Sequence, residues 1–490
     1  MPNPYERNYG QTKREFAGLQ HRTARQEQGQ GSSRVIPGML EDAIHHHRAG
    51  RLMEAELIYR QILTIDARHA DCLHLLGMIA YQAGRYEDAV EMIRRAIAIH
   101  DKGASYHSNL GTVLQAQGKL DEAAASYLRA LALRPNLAEV HTNLGNVLQA
   151  QDKLDEAVAC HERALVLKPE LAEARYNLGL SQLLKGDFPL GWRNFERRWQ
   201  SKSFVTPMRV YPQPLWSGEN LASGRLLIWG EQGVGDEIMF AGLIPDVIRT
   251  GNRCLLDCDA RLQPLFSRSF PGIEVISGSD REHNPELDIS AHLPSGSLPS
   301  LFRASHAAFA ATASPYLVAD PAVRDRFRAH YSDGRRLVGL AWYTKNRSGG
   351  RYRSMDLSLF ASLFARPDIR WVSLQYGDYD ELESQAVAAS APILIDRSVD
   401  QFSNIDVFAA QIAAMDMVVT IDNSTAHLAG ALGIPAFVLL PFVSDWRWLQ
   451  EREDSPWYPT LRLFRQPKRG DWPSVVQKVQ GALGSQHHES

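Results

Sequence analysis

The sequence predicts a chain in two parts: an all-α solenoid of stacked helical hairpins, then an α/β region with two parallel-sheet lobes. Two observations carry this reading. The front half repeats itself every 34 residues, in three registers at once. From Arg225 the period gives way to short apolar runs that end in loops and alternate with helix-length segments. That alternation is the mark of parallel strands joined by helices.

A turn residue recurs at Gly50, Gly84, Gly118, Asp152 and Gly186. Small residues keep step at Ala55, Ala89, Ala123, Ala157 and Gly191, where two helices must approach closely. A third register holds Tyr59, Ile93, Tyr127, His161 and Phe195, mostly bulky groups that fill the gap between neighbouring helices. Gly77, Gly111, Gly145 and Gly179 mark the close contact on the first helix, and Pro135 and Pro169 end the second helix of two units. Helix–turn–helix units of this period resemble the tetratricopeptide repeat. Five units fit, beginning near residues 36, 70, 104, 138 and 172, after a polar, disordered N-terminus over 1–35. The array is expected to run over 36–205, its end marked by the Trp- and Arg-rich stretch GDFPLGWRNFERRWQ and a proline-containing loop.

Such units are stabilised by stacking on their neighbours, and the concave face of the stack usually takes a peptide or another protein. Asn109, Asn143 and Asn177 recur in phase within SNLG, TNLG and YNLG. Their amides either form a ladder that holds an acceptor peptide backbone, two hydrogen bonds per side chain, or simply solvate the groove. The run His45-His46-His47 reads as a solvated or packed helix face rather than a metal site.

Composition narrows the class. A net charge of −3, with no basic stripe interleaved with aromatics, gives no reason to expect nucleic acid. The four cysteines do not make a disulfide framework, and Cys254 and Cys258 lack a second Cys/His pair for zinc. Neither a signal peptide nor a membrane span is legible, so a cytoplasmic address is expected.

In the back half, ligands are expected beyond the carboxyl ends of the strands. In MVVTIDNSTAHLAGALGIP a strand gives way to Asp422-Asn423-Ser424-Thr425 and then a helix, whose free N–H groups form a diphosphate site. His427, in the first turn, is placed to donate a proton or hydrogen bond to that anion. After LVGLAW come Lys345, Arg347, Arg351 and Arg353; Lys345, just past the strand end, and Arg353 are the cations expected at the donor, facing the helix start, while Arg347 and Arg351 read as solvated surface charges. Asp422 and Gln375, each just after a strand, are candidates for ribose or base hydrogen bonds.

The segments GEQGVGDEIMFA, GLAWYTKN with RYRSMDLSLF, WVSLQYG, VTIDNSTAHLAGALGIPAFVLLP, DWRWL and DSPWYP resemble the bacterial tetratricopeptide-linked glycosyltransferases. Those are similar to the heptosyltransferase family (glycosyltransferase family nine) and, more distantly, to protein O-GlcNAc transferase. The resemblance implies a GT-B fold: two Rossmann-like lobes around a cleft, an acceptor-side lobe over 206–333 and a donor-side lobe over 334–480, with a short tail after them. It implies a catalytic aspartate at Asp236 in the glycine loop of Gly233 and Gly235. It also implies donor-site roles for Asp422, Ser424 and His427, and a phosphate-binding role for Lys345. In this loop the sequence departs from its relatives, reading WYTKN with a Ser-Gly-Gly insert.

The expected reaction is inverting sugar transfer from a nucleoside diphosphate to an acceptor hydroxyl, with Asp236 as base. Lys345, Ser424, Thr425, His427 and the helix dipole would stabilise the departing diphosphate. Asp236 can equally serve as a helix cap. No resident cofactor or metal is expected, the nucleotide sugar being a co-substrate. Asp257-Cys258-Asp259 and Asp378-Tyr379-Asp380 match D-x-D, a short pattern that arises by chance. Trp446, Trp448 and Trp457 stack on sugars or bases, or else lock the C-terminal segment onto its sheet. The alternatives are a lipid-linked or polysaccharide acceptor, and a catalytically silent repeat scaffold.

Overall fold

The computed structural model describes residues 32–278, 288–311, 315–345 and 350–485. The polar N-terminus up to residue 31, Arg347 and the last five residues of the tail lie outside the described residues. The chain divides into two compact units between Leu171 and Ala172.

The first unit is a run of helical hairpins. They pair α1 (Ser32–Arg48) with α2 (Leu52–Ile65) and α3 (Ala70–Gln82) with α4 (Tyr86–Ile99). Next come α5 (Ala104–Ala116) with α6 (Leu120–Leu133), and α7 (Ala138–Ala150) with α8 (Leu154–Leu167). Each turn needs a residue in the left-handed region, where glycine carries no Cβ penalty. Gly50, Gly84 and Gly118 sit there at φ of 75°, 75° and 76°, and Asp152 at 67°. The turns close with the same bond in every copy. The N–H groups of Arg51, Arg85, Lys119 and Lys153 donate to the carbonyls of His46, Ala80, Leu114 and Leu148, at 2.9–3.0 Å.

Two of the sequence registers meet inside each hairpin. A Cβ on Gly77 would stand 2.7 Å from Ile93, one on Gly111 2.7 Å from Tyr127, and one on Gly145 2.6 Å from His161. The bulky residue of the second helix therefore lies flat on a backbone from which the side chain is missing. Ala55, Ala89, Ala123 and Ala157 are fully buried at the neighbouring contact. His161 occupies the bulky register as a neutral filler: neither ring nitrogen has a hydrogen-bond partner, and burial pushes its pKa down to about 4.

The second unit begins with the fifth hairpin, α9 (Ala172–Lys185) and α10 (Phe188–Phe195), turning at Gly186 with φ 83°. The sequence reading grouped this hairpin with the array; its packing partners within its own unit are aromatic. Trp192 meets Trp446 and Trp457 edge-on, and its indole N–H donates to the Arg303 carbonyl at 2.8 Å. Trp446, Trp448 and Trp457 are all buried, which places them in the locking role. Just past α10, Arg198 forms a two-pronged ion pair with Glu231, both prongs at 2.8 Å and both side chains without exposure. Glu231 also accepts from the Gly296 N–H at 2.7 Å.

Two parallel sheets follow. The first holds β1 (Arg225–Trp229), β2 (Cys254–Cys258), β3 (Glu274–Ser277) and β4 (Ile289–Pro294), in the order β3-β2-β1-β4. The second holds β5 (Arg336–Ala341), β6 (Ile369–Ser373), β7 (Ile393–Leu394), β8 (Met417–Ile421), β9 (Ala436–Leu440) and β10 (Leu461–Arg465). Its order is β10-β9-β8-β5-β6-β7, again wholly parallel. Strand order reverses direction at β1 in one sheet and between β5 and β8 in the other. Crevices at such switch points are where ligands enter open α/β sheets. Among the described residues, no helix is long and apolar enough to cross a membrane.

Two contrasts test this packing. A Cβ on Gly118 meets open space, so Gly118→Ala costs only its left-handed backbone, about 1 kcal/mol. Gly111→Ala drives a methyl into the Tyr127 ring and costs about 3 kcal/mol. Urea titration followed by circular dichroism ranks the two, and equal midpoints would refute the interlock. In the second unit, Glu231→Ala takes the two-pronged partner from a buried guanidinium, leaving it Glu196 and Ser297, and costs about 3 kcal/mol, read as a lowered thermal midpoint.

Candidate functional site

The loops after β1 and β8 lead into α11 (Val234–Ala241) and α12 (Ser424–Ala431). These helices meet at their N-terminal ends. A Cβ on Gly235 would stand 3.1 Å from the His427 ring and 3.8 Å from the Ser424 Cα, so glycine is what lets the two ends close up. The positive ends of two helix dipoles thus share one locus, a setting that favours an anion.

At the start of α12, Asn423 is the N-cap. Its Oδ1 accepts from the Thr425 N–H at 3.0 Å, the Ala426 N–H at 3.4 Å and the Thr420 hydroxyl at 3.0 Å. Its Nδ2, with the Thr425 hydroxyl, is buried and without a hydrogen-bond partner. Buried polar groups are seldom left this way; here two lie together at a helix start. Ser424, the first helical residue, is half-buried beside them.

The carboxylates of this locus are held by arginines. Asp422 pairs with Arg353 at 3.1 Å. Asp236 pairs with Arg447, which also pairs with Asp445 and donates to the Gln232 Oε1 at 3.1 Å. Asp236 lies at the third position of α11 and takes part in capping, its Oδ2 accepting from the Gly233 N–H at 3.3 Å. Gln232 holds a left-handed φ of 67°, unusual for a side-chain-bearing residue.

Three sequence expectations change here. His427 was expected to donate a proton or a hydrogen bond. It is buried, its Nδ1 is 2.9 Å from the Tyr458 hydroxyl, its ring stacks on Trp448, and burial pushes its pKa down to about 4. At neutral pH its ring is uncharged, so it offers a hydrogen bond rather than the proton of an imidazolium acid. Gln375 was expected to bind ribose or base. Its Oε1 accepts from the Trp342 and Tyr343 N–H groups, both at 2.9 Å, and its Nε2 donates to the Tyr343 and Tyr376 carbonyls. The amide is spent on shaping the loop after β5. Lys345 is exposed, and its backbone N–H donates to the Tyr376 hydroxyl at 2.9 Å. Arg353, from the same loop, is the cation brought to the start of α12.

The D-x-D carboxylates are committed elsewhere: Asp257 to Arg209, Asp259 to Arg261, Asp380 to Arg397, and Asp378 to capping the helix Tyr379–Ala388. Among the described residues, no group of three or more metal-binding side chains gathers. In the repeats, the Asn109 amide nitrogen is 2.7 Å from His74 Nε2, so that half of its side chain serves the preceding hairpin. Asn143 and Asn177 are half-buried.

Sequence reasoning missed Arg447 and Glu237. Arg447 was visible only as part of DWRWL. Glu237 follows Asp236 directly. Its carboxyl lies against Gly230, where a Cβ would stand 2.4 Å away, and its Oε2 accepts from the Asp259 N–H at 2.9 Å. Burial, and to a lesser degree Asp259 and Asp257, push its pKa up to about 7.

The N-terminal array carries tetratricopeptide repeats: the family described as "TPR repeat" matches residues 113–152, and "Tetratricopeptide repeat" families match 46–110 and 138–171. The chain is 32% identical over 314 residues to Protein FlbA of Caulobacter vibrioides, covering 60% of this chain and 52% of that protein. It therefore spans about half the length of this curated relative. Among solved structures, it is similar to MamA, at 22% identity and a TM-score of 0.30 over 32% of this chain and 91% of that one. It is similar also to YrrB, described as a TPR protein with an unusual peptide-binding site, at 21% identity and a TM-score of 0.30 over 34% and 90% of the two chains. For PilF of Pseudomonas aeruginosa the values are 18% and 0.35, over 45% and 88%.

Glu237 gives a signed pH effect. Its folded pKa of about 7 lies above its ordinary 4.5, so the folded state binds the extra proton between those values. Stability is full below pH 4.5 and is lost as pH rises through 7. Glu237→Gln is expected to raise the thermal midpoint at pH 8 and to leave it nearly unchanged at pH 4.5. A midpoint gain of equal size at both pH values would contradict this.

Proposed function

We propose that this chain is a cytoplasmic, metal-independent, inverting glycosyltransferase of GT-B architecture. It moves a sugar from a nucleoside diphosphate to an acceptor hydroxyl, and its repeats recruit a protein acceptor or partner. The observation that carries this reading is the meeting of two helix N-termini at strand-order switch points, with Asn423 Nδ2 and the Thr425 hydroxyl buried and unpartnered there. Two acceptor-hungry donors, two dipole ends, Arg353 and Arg447 suit a diphosphate. The motif resemblance supplies the chemistry.

In this reading Asp236 takes the acceptor proton as the hydroxyl oxygen bonds to the anomeric carbon and the bond to the diphosphate breaks. Arg353, Ser424, Thr425 and the helix ends receive the growing charge on the leaving group. His427 contributes as a neutral ring that sets the floor beneath Gly235.

A scaffold without chemistry is the rival, and the pairing of both carboxylates with arginines favours it. Hydrolysis and transfer screened over UDP-, GDP-, ADP- and CMP-sugars, with mass spectrometry of products, separates the two. Asp236→Asn should lower turnover by ~10²–10⁴-fold, the contribution of one positioned base. Turnover that survives the change assigns the base elsewhere, and silence with every donor sinks the transferase reading.

A further inference from the structure

The placement of Arg447 has a meaning beyond packing. It is not on either helix of the site, yet it reaches the carboxylate of Asp236 on α11. Its side chain is 12% exposed and that of Asp236 20%, so the pair is neither sealed in the core nor loose in water. Gln232 and Asp445 hold the same guanidinium from two other directions, and its face lies over the Trp446 ring at 4.5 Å. The opposite side of the locus repeats the arrangement, with Arg353 on Asp422. Among the described residues, Arg447 and Arg353 are thus each neutralised by a carboxylate of this chain.

An unpaired arginine beside two helix N-termini would bring together three positive features with no anion among them. The carboxylates of Asp236 and Asp422 resolve that conflict within the chain itself. An entering diphosphate offers the same arginines a better acceptor, because guanidinium binds phosphate oxygens in a two-pronged fashion. The carboxylates then lose their partners.

We propose that Asp236 is an internal competitor of the donor diphosphate for Arg447: the ion pair latches the base in the empty site, and nucleotide binding releases it by taking the arginine. This rests on the transferase reading and adds an order of events, donor first and base second. Arg447 acts as a positioning residue for Asp236 and as a ligand for phosphate.

The test reads binding, not turnover. Titration calorimetry with UDP, GDP, ADP and CDP identifies the nucleotide that the full chain binds. Asp236→Asn, which keeps the shape and removes the competing charge, should tighten that nucleotide by about tenfold, the worth of one charged hydrogen bond. Arg447→Gln should weaken it by a similar factor, with its thermal midpoint checked to confirm folding. The decisive variant is the double one. With Arg447 gone there is nothing to unlatch, so Asp236→Asn should change the affinity of Arg447→Gln by less than about twofold. Tightening of equal size in both backgrounds would mean plain charge repulsion and would overturn the latch while leaving the transferase reading standing. Unchanged or weaker binding by Asp236→Asn alone would overturn it as well. No binding of any of the four nucleotides would remove the transferase reading and the latch together.

Discussion

The buried pair of Arg198 and Glu231 is the interaction on which the geometry of the second unit turns. Glu231 lies in the short loop after β1 that leads into α11, the helix carrying Gly235 and Asp236. Two fully buried opposite charges are tolerated only when geometry and further hydrogen bonds offset their loss of water. Here Ser297 accepts from Arg198 at 2.8 Å, and the Gly296 N–H meets Glu231 at 2.7 Å. The pair ties the end of the fifth hairpin to the first sheet, so the last repeat-like element is part of the frame of the candidate site.

From that frame the site follows by steps. A glycine at 235 lets α11 meet α12, the meeting concentrates positive potential, and carboxylates neutralise it. Gln375 stiffens the loop after β5 by bonding four backbone groups. His427, Tyr458 and Trp448 make a rigid aromatic wall behind the start of α12. The result is a locus with an aromatic wall, two helix N-termini and two arginines held by carboxylates.

The repeats were legible because their constraint is local and recurrent. A missing side chain on one helix demands a bulky one 16 residues later, and Gly77 with Ile93 or Gly111 with Tyr127 displays both halves of that demand. Central strands were legible as apolar runs because both faces are covered. The edge strands β4 and β10 were not: Ser290 and His292, or Arg462 and Arg465, interrupt their apolar pattern. At the site, Asp236, Asp422 and Asn423 could be read from their place after strands. Arg447 could not, since its partner Asp236 lies 211 residues away in sequence. Nor could the sequence tell a buried His427 from an available one, because burial is set by Trp448 and Tyr458.

Aromatic residues also divide the chain optically. All 10 tryptophans, from Trp192 to Trp472, follow Leu171, so the first unit contains none. Indole emission is consequently a private signal of the second unit. Trp192, Trp446 and Trp457 form a ring cluster that would change colour and intensity when the fifth hairpin loosens. The hairpins before Leu171 are spectroscopically dark at those wavelengths, with tyrosine as their chromophore. The intact chain thus carries its own label for telling the loosening of one unit from that of the other.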